Sequence, residues 1–491
     1  MSQKGPARKG ATRGKDPGGS AVPYPRLVIS AFKKSSGKTL FALGLTRALK
    51  NEGLRVRAYK KGPDYIDPMW LKAASGQESY NLDPYLMGEQ TCRRTFLDKS
   101  RGFDLSIIEG NHGLHDGIDL EGRYSTAALA RTLQAPVLLV MDSTGMNRNI
   151  AALVLGLKNM DPQVDVAGVI LNNVRSARQE QKQIQAIERY CGLPVLGSLR
   201  RNETGLIKER HLGLITTREE TQAEELSSSL ADLVSSQVDL AAITELARRA
   251  PGLPLEVLPS LAGEEDCTPA RVTIAVASDP AFCFSYPDNL EALRRAGARL
   301  VFFNTMTDSA LPAADGLYIP GGFPESYLKE LEANKSLRED IRLKLQQGLP
   351  AYAECGGLIY LARSIEKDGV KASMVGAIGA EARFNKKPAG YGYVEFSARQ
   401  GLGWFNAVRE LRGHEFHYSQ LYNLDPGLKF AYNMKRGTGI GEGRDGLVQG
   451  NLLASFTHLH EQSVPEWSRS FVDFIYSRKC GAETPELLIS A

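Results

Sequence analysis

The chain has 491 residues, which is too long for one hydrophobic core, so we expect two or three domains. Hydrophobic residues make up 42% of the chain and charged residues 24%, which is typical of a soluble globular protein. The formal net charge is +4, and residues 1–22 alone hold five Lys or Arg residues against one Asp. The rest of the chain is therefore nearly neutral, which argues against a general nucleic-acid-binding surface.

Residues 1–22 are rich in Gly, Pro, Lys and Arg and cannot bury a core, so we predict a disordered basic tail there. They lack the apolar segment of a secretory signal, and the chain has no run of about 18 apolar residues that would span a membrane. The six cysteines are scattered without a C-x-x-C pair, which argues against a zinc site or a disulfide framework. We therefore expect a cytoplasmic protein that binds neither a membrane nor nucleic acid.

From Arg26 onward, short apolar runs alternate with segments of helical periodicity. Continuous apolar runs are typical of parallel strands that helices cover on both faces, and this alternation indicates a doubly wound α/β domain. The predicted strands of this part are residues 26–30, 105–110, 136–142 and 166–172.

The composition changes near residue 245 and indicates a domain boundary. Residues 246–270 are rich in Pro and Gly, and a second α/β series of apolar runs begins at Arg271. We therefore predict a first domain over residues 23–245, a linker over 246–270 and a second domain over 271–491.

The first predicted strand leads directly into a loop and helix with the sequence AFKKSSGKTLFALGL. Gly37 lets backbone N–H groups approach phosphate oxygens, and the start of a helix favours negative charge. Lys38 would reach the β and γ phosphates, and the hydroxyl of Thr39 would ligate Mg²⁺. The segment therefore predicts a nucleotide-binding phosphate loop.

The strict form of this loop requires Gly where the chain has Phe32. Lys33, however, stands five residues before Lys38, as in deviant phosphate loops that carry a second lysine. The residues that we predict to bind ATP are Lys33, Ser36, Gly37, Lys38 and Thr39.

Two acidic segments accompany the loop. KKGPDYIDP carries Asp64 and Asp67, and SIIEGNHGLHDG carries Glu109 at the end of a buried strand and then Asp116. Carboxylates at strand ends beside a phosphate loop are suited to holding Mg²⁺. Each acid taken alone is equally compatible with a helix cap or a loop ion pair.

LPAYAECGGLIYLA predicts a strand, a sharp turn and a helix, with Cys355 at the turn followed by Gly356 and Gly357. Small flanking residues permit the strained backbone of a nucleophile elbow, and a helix start favours the thiolate. The upstream DGLYIPGGFPE supplies a glycine turn for an oxyanion hole. Downstream, SFTHLH places His458 and His460 after an apolar strand, where a histidine would take the thiol proton.

In combination these segments resemble a known family. PGG, ECGG and SFTHLH resemble a class I glutamine amidotransferase domain, and GKT, KKGPDYIDP and IIEGNHGLHDG resemble the dethiobiotin-synthetase-like ATP domain. Together with RGHEFHYS, they resemble the cobyrinic acid a,c-diamide synthase family from residue 25 to residue 476. The implied fold is a P-loop doubly wound α/β domain followed by a class I glutamine amidotransferase α/β domain.

The resemblance implies a carbon–nitrogen ligase that uses ATP and Mg²⁺ with glutamine as the amido donor. Cys355 would attack glutamine with His458 as base, and N–H groups near Gly322 and Gly356 would hold the oxyanion. Ammonia would pass to the first domain and displace the phosphate of an acyl phosphate made from ATP. We expect Thr39, Asp64 and Glu109 to ligate Mg²⁺, and Asp67 and Asp116 to orient substrate or nucleotide.

Two departures from the usual patterns bear on these assignments. Many class I amidotransferases have Glu two residues after the catalytic His, where this chain has His460, so the third member of the triad stays open. Glu461 is adjacent but would point elsewhere if the strand continued. In KKGPDYIDP, Lys61 also stands where the commoner family form has Val.

The substrate therefore has alternatives: the acid is cobyrinic acid, or else sirohydrochlorin, its nickel complex or sirohaem. A cobyric acid synthase or another ATP-dependent amidotransferase would use the same chemistry. A partition-type ATPase switch that dimerises through its deviant loop is the rival from another class, and a cysteine elbow argues against it. A homodimer is compatible with the sequence but is not indicated by it.

Overall fold

The computed structural model describes residues 23–201, 209–210, 213–214, 216–218, 223–253, 270–399 and 410–481. The predicted tail over residues 1–22 and most of the predicted linker lie outside the described residues.

The first domain alternates strands and helices, as the apolar runs predict. Its strands are β1 (Arg26–Ala31), β2 (Val56–Lys61), β3 (Tyr80–Leu82), β4 (Leu105–Glu109), β5 (Val137–Asp142), β6 (Val166–Val174), β7 (Val195–Arg200), β8 (Glu209–Arg210) and β9 (Gly213–Leu214). Its helices are α1 (Lys38–Asn51), α2 (Ile66–Ser75), α3 (Pro84–Met87), α4 (Glu89–Lys99), α5 (Thr126–Thr132), α6 (Ile150–Met160), α7 (Ala177–Cys191), α8 (Ala223–Gln237) and α9 (Leu240–Arg248).

Seven of these strands form one parallel sheet in the order β3-β2-β4-β1-β5-β6-β7. Successive side chains of β1 enter different hydrophobic clusters, because Leu27 and Ile29 face one side of the sheet and Val28 the other. A parallel sheet buried on both faces is the doubly wound arrangement that the sequence predicts.

The second domain also begins with parallel strands and then changes to antiparallel ones. Its strands are β10 (Val272–Ala277), β11 (Ala298–Phe303), β12 (Gly316–Ile319), β13 (Ala351–Glu354), β14 (Ser364–Lys367), β15 (Val370–Ser373), β16 (Glu381–Phe384), β17 (Gly390–Ala398), β18 (Glu410–His417), β19 (Ser419–Tyr422), β20 (Lys429–Arg436), β21 (Arg444–Gln449) and β22 (Leu452–Ser455). Its helices are α10 (Pro287–Arg295), α11 (Leu328–Ala333), α12 (Lys335–Gln346), α13 (Gly356–Leu361) and α14 (Trp467–Lys479), with a 3₁₀ turn at Pro324–Ser326.

A nine-stranded sheet runs in the order β11-β10-β12-β13-β22-β21-β20-β17-β18. Pairing is parallel from β11 to β22 and antiparallel from β22 to β18. A smaller sheet has the order β15-β14-β16-β19. This mixed sheet brings the end of β13 beside the end of β22, which are the two segments that carry the predicted nucleophile and its base.

The first domain extends past residue 245 in the structure. Helix α9 continues to Arg248, and Arg26 donates to the carbonyl of Pro251 at 2.8 Å. Leu253 is fully buried in the core beneath the first sheet. The predicted linker therefore begins with residues that pack on the first domain.

The two domains meet where the loop after β2 and the residues of β3 face the loop after β10, helix α10 and strand β17. Tyr80 at β3 donates to Glu291 at 2.6 Å, and Tyr393 on β17 donates to Asp83 at 2.7 Å. Loops after parallel strands commonly carry binding groups, so the interface lies where both functional sites are expected.

Candidate active sites

The phosphate loop has a fixed backbone. Gly37 has a φ of 92°, a left-handed conformation that favours glycine, and α1 begins at the next residue. A β-carbon on Gly37 would collide with the side-chain amide of Asn172, which donates to the carbonyl of Ser36 at 2.9 Å. Asn172 was not predicted from the sequence, although a polar residue near the end of a buried strand indicates a site residue.

The two lysines of the loop have different environments. The Lys38 ammonium is buried and donates to the carbonyl of Lys33 at 3.0 Å, and the Ser36 hydroxyl donates to that same carbonyl at 3.1 Å. Burial, followed by repulsion from Lys60, lowers the pKa of Lys38 to about 8. The Lys33 ammonium is largely exposed and lies 3.9 Å from a carboxylate oxygen of Asp142.

A buried polar cluster joins the loop to the acidic segments. Thr39 Oγ1 donates to Glu109 Oε1 at 2.5 Å and lies 3.5 Å from Asp67 Oδ2. The Lys60 ammonium forms an ion pair with Asp67 and donates to Glu109 Oε1 at 2.8 Å. Burial raises the pKa of Glu109 to about 7, although Lys60 opposes the shift.

The carboxylates of Asp64 and Asp116 accept hydrogen bonds from backbone N–H groups of nearby residues. Asp64 Oδ1 accepts from the N–H groups of Ile66 and Asp67 at 2.8 and 2.9 Å, so this carboxylate caps the start of α2. Burial and the neighbouring Asp67 raise the pKa of Asp64 to about 6. Asp116 Oδ2 accepts from the N–H of Gly113 at 2.9 Å. The structure therefore brings Asp67 into contact with Thr39, whereas Asp64 is linked to Thr39 only through its hydrogen bond to the backbone of Asp67.

The donor set beside Thr39 fits a hard cation. Glu109 Oε2 is buried without a hydrogen-bond partner in the described part of the chain, and carboxylate and hydroxyl oxygens are the ligands that Mg²⁺ prefers. The described residues contain no group of three or more His, Cys, Asp or Glu side chains arranged around a metal position. Phosphate oxygens would then have to supply further ligands, as is usual for Mg²⁺ in phosphoryl-transfer sites.

In the second domain, Cys355 occupies a strained turn between β13 and α13. Its φ of 46° and ψ of −98° are rare for a residue with a side chain, and its N–H donates to Ser455 on β22 at 2.7 Å. Gly357 packs so closely on the carbonyl of Ile319 that a β-carbon there would collide with it. This geometry is that of a nucleophile elbow, as the sequence predicts.

The expected preference of Cys355 for the thiolate is not found. Burial, followed by the charge of Glu325, raises the pKa of the thiol well above its usual value, and the N–H of Gly356 only partly opposes the shift. Helix α13 has six residues, so its dipole is short, and the sulfur is buried beneath the turn. A base is therefore needed to generate the nucleophile.

The glycine turn after β12 lies between the elbow and the predicted base. A β-carbon on Gly356 would lie 2.8 Å from the amide nitrogen of Gly322, and one on Gly321 would lie 2.5 Å from Cε1 of His458. The two glycines predicted to form the oxyanion hole are thus neighbours. The imidazole of His458 packs on the same turn.

The backbone of His458 is held by strand pairing, and a buried carboxylate lies beside its imidazole. The backbone N–H of His458 donates to the backbone carbonyl of His414 at 2.8 Å, and the two imidazole rings stack with centroids 4.9 Å apart. Nδ1 of His458 lies 3.5 Å from Oε2 of Glu354, which is almost fully buried. Glu354 Oε1 accepts from Tyr352 at 2.8 Å and from the N–H of Leu459 at 3.1 Å, so the carboxylate is fixed.

The two downstream candidates for a third triad member have other partners. His460 Nε2 lies 3.6 Å from Asp288, and its ring packs against Tyr286. The backbone N–H of Glu461 donates to Oδ1 of Asn289 at 2.7 Å. Burial raises the pKa of the Glu461 carboxyl to about 8. Glu354 was not considered from the sequence, although an acid directly before the nucleophile was a visible signal.

Comparisons with known proteins agree with this two-domain architecture. Residues 27–215 match the family described as the CobQ/CobB/MinD/ParA nucleotide binding domain, and residues 273–465 match the CobB/CobQ-like glutamine amidotransferase domain. A cobyrinate a,c-diamide synthase of Magnetococcus marinus is 44% identical over 91% of this chain and 97% of that protein. The chain belongs to the cobyrinate a,c-diamide synthase family.

Two further relatives of that name show the same extent of similarity. The protein of Dehalococcoides mccartyi is 40% identical over 91% of this chain and 98% of its own length. The protein of Archaeoglobus fulgidus is 39% identical over 93% of this chain and 98% of its own length.

Family membership confirms the predicted fold class, with a P-loop α/β domain followed by a glutamine amidotransferase α/β domain. The chain is a ligase of the glutamine-dependent type, and its first domain binds a nucleotide. An amidotransferase domain has no place in a pure ATPase switch, so the rival from another class is set aside. Among the described residues, no helix is long and apolar enough to cross a membrane.

Proposed function

We propose that this protein amidates the a and c carboxylates of cobyrinic acid, using ATP and ammonia released from glutamine. The observation that carries the proposal is the presence of two complementary sites in one chain. One is a phosphate loop whose Thr39 contacts Glu109, and the other is a cysteine elbow whose neighbouring glycine turn packs on His458. The names of the relatives supply the substrate.

Glutamine is consumed at the elbow. His458 takes the proton of Cys355, the sulfur attacks the side-chain amide carbon, and N–H groups of Gly322 and Gly356 stabilise the oxyanion. The C–N bond then breaks, the nitrogen leaves as ammonia after taking the proton from His458, and water hydrolyses the glutamyl thioester to glutamate. Glu354 orients the imidazole through Nδ1, which gives the triad a carboxylate that the usual position after His458 lacks.

The carboxylate is activated in the first domain. A carboxylate oxygen attacks the γ-phosphorus of ATP, ADP leaves, and ammonia then displaces phosphate from the acyl phosphate to form the amide. Lys38 leaves the Lys33 carbonyl to contact the β and γ phosphates, and Lys33 and Ser36 complete the loop around them. Asp116 lies in the adjacent loop and is proposed to orient the substrate or nucleotide.

We propose that Thr39, Glu109 and Asp67 hold Mg²⁺, with Asp64 maintaining the position of Asp67. This set differs from the sequence-based one because Asp67, not Asp64, contacts Thr39. A bound Mg²⁺ would neutralise charge on the transferred phosphoryl group. The free thiols of Cys92, Cys191, Cys355 and Cys480 support a reducing, cytoplasmic location.

Mass spectrometry of the products tests the proposal. Purified protein with ATP, Mg²⁺ and glutamine is offered cobyrinic acid, sirohydrochlorin, its nickel complex and sirohaem in parallel. We expect the product of cobyrinic acid to be lighter than the substrate by the mass difference between two carboxylic acids and two carboxamides. Turnover of a sirohydrochlorin-type acid alone would replace cobyrinic acid as the substrate, and glutaminase activity without any amide would remove the tetrapyrrole from the proposal.

A further inference from the structure

Tyr65 belongs to the first domain but packs into the second. It lies between Asp64 and the first residue of α2, and its ring stacks on Phe284 at 5.2 Å with an interplanar angle of 3°. It also packs against Tyr286 at 4.4 Å. Both partners lie in the loop after β10, so a single side chain connects the acidic segment of one domain to the other domain.

The same ring touches the glutaminase machinery. Its centroid lies 5.3 Å from that of the His458 imidazole and 5.6 Å from that of His414. Tyr65 therefore brings a side chain of the first domain into contact with the base of the elbow. Movement of Tyr65 therefore changes the packing of the group that activates Cys355.

At its other end, Tyr65 is tied to the phosphate site. The carboxylate of Asp64 holds the N–H of Asp67, and the side chain of Asp67 contacts Thr39 and Lys60. Only Ile66 thus separates Tyr65, whose ring packs on His458, from Asp67, whose carboxylate lies in the phosphate site. A nucleotide that changes the partners of Asp67 would shift the start of α2 and, with it, Tyr65.

The surroundings of Tyr65 form an apolar wall between the sites. Phe284 packs edge-on against Phe323 at 4.8 Å, and Phe323 directly follows the glycine turn beside the elbow. Cys283, Phe284 and Phe323 belong to the hydrophobic cluster that also contains the core of the first domain. Such a wall disfavours ammonium, because burying an unpaired charge is costly, so nitrogen would pass it as neutral ammonia.

We propose that Tyr65 couples the two active sites by lining the ammonia route and by positioning His458 according to the state of the phosphate site. This inference rests on the proposed function, because it assigns a residue to the transfer between the two half-reactions. Tyr65 is a positioning residue, because its ring packs against Phe284 and Tyr286 on one side and His458 on the other. Loss of the ring opens the interface, so that ammonia escapes to water and becomes ammonium.

The experiment measures glutamate formed per amide formed in wild type, Tyr65→Ala, Tyr65→Phe and Tyr65→Leu. Tyr80→Ala is the matched control, because Tyr80 also crosses the interface but contacts Glu291 rather than His458. We expect a ratio near one for wild type, Tyr65→Phe and Tyr80→Ala. For Tyr65→Ala we expect the ratio to rise about fivefold or more, since ammonia released to water is lost as ammonium.

Ammonium chloride supplies the second measurement, because external ammonia does not depend on the route between the sites. Tyr65→Ala should retain ammonia-supported amidation within about twofold of wild type, and its glutaminase rate should respond less to ATP and acid substrate. If Tyr65→Ala misfolds and loses ammonia-supported activity, Tyr65→Leu replaces it, because leucine keeps apolar bulk without a ring. The ratio of glutamate to amide in Tyr65→Leu then tests the role of Tyr65.

The outcomes separate this inference from the proposed function. The role of Tyr65 alone is overturned if the wild type is coupled and the ratio of glutamate to amide in Tyr65→Ala also stays near one. Where Tyr65→Ala misfolds, the ratio in Tyr65→Leu is used instead. An equal rise in Tyr80→Ala also overturns it, since any opening of the interface would then suffice. A wild-type protein that forms no amide from any of the four acids overturns the proposed function, and the coupling role with it.

Discussion

The phosphate loop and the cysteine elbow each place a reactive group where a parallel strand ends and a helix begins, but they are held in different ways. At the elbow, backbone strain at Cys355 and close glycine packing set the geometry. At the phosphate loop, buried charges do so, because Lys60 joins Asp67 and Glu109. The elbow is preformed, whereas Lys38 still donates to a backbone carbonyl that ATP phosphates would replace.

This difference suggests how each site should fail. A preformed elbow depends on one sulfur, one imidazole and the space between them, so its variants should lose glutamine use while the other half-reaction survives. The charged site serves both nitrogen sources, because every amide requires an activated carboxylate. The predictions below test that asymmetry, starting with the largest expected effect.

Cys355→Ala should reduce glutamine-supported amidation about a thousandfold or more, because no other group in the elbow can form the thioester. Ammonium chloride should restore the rate, and amide formation with each nitrogen source is the measurement. Cys191→Ala, which changes a buried thiol at the end of α7, is the control and should keep glutamine use. Equal loss with both nitrogen sources would contradict the separation of the two sites.

Lys38→Ala should reduce amidation about a hundredfold or more with glutamine and with ammonia alike, because the phosphate contacts that stabilise phosphoryl transfer are lost. Glutamate release without ATP should persist. Lys34→Ala, in the same loop, is the control, and we expect it to retain most of the activity. Selective loss of glutamine use in Lys38→Ala would show that the loop does not serve acyl-phosphate formation.

Glu354→Gln should lower kcat for glutamine hydrolysis about 10- to 100-fold with little change in KM, since the amide orients His458 without stabilising its charge. The pH profile of kcat should shift, which a purely structural loss would not cause. Glu461→Gln is the matched control, because that neighbouring carboxyl does not contact His458. Ammonia-supported amidation should be unchanged in both variants, and a fall there would indicate general destabilisation.

Much of this arrangement could be predicted from the sequence, because local patterns determine it. Continuous apolar runs give the strands of a parallel sheet, and GKT and ECGG mark strand-to-helix turns whose backbone needs glycine. Long-range partners could not be predicted in the same way. Asp64 and Asp67 are three residues apart, and only the direction of α2 decides which one reaches Thr39.

The second domain shows the same limit. The sequence left the third member of the triad open, and the pairing of β13 with β22 brings Glu354 to the imidazole of His458. Tyr65 gave no signal in the sequence, because a lone tyrosine in a loop reveals nothing about the domain that covers it. Contacts between strands and between domains require the fold itself.

The state of the Cys355 thiol provides the smallest expected effect. Because burial raises its pKa, little thiolate is present at neutral pH, and alkylation by iodoacetamide without glutamine should be slow. The rate should rise about tenfold per pH unit on the alkaline side, since the thiolate is the reacting form. Exposed Cys480 should react faster at pH 7 in the same sample, as peptide mass spectrometry would show. Rapid, pH-independent alkylation of Cys355 would mean that the elbow already holds a thiolate, and that His458 is not required to generate it.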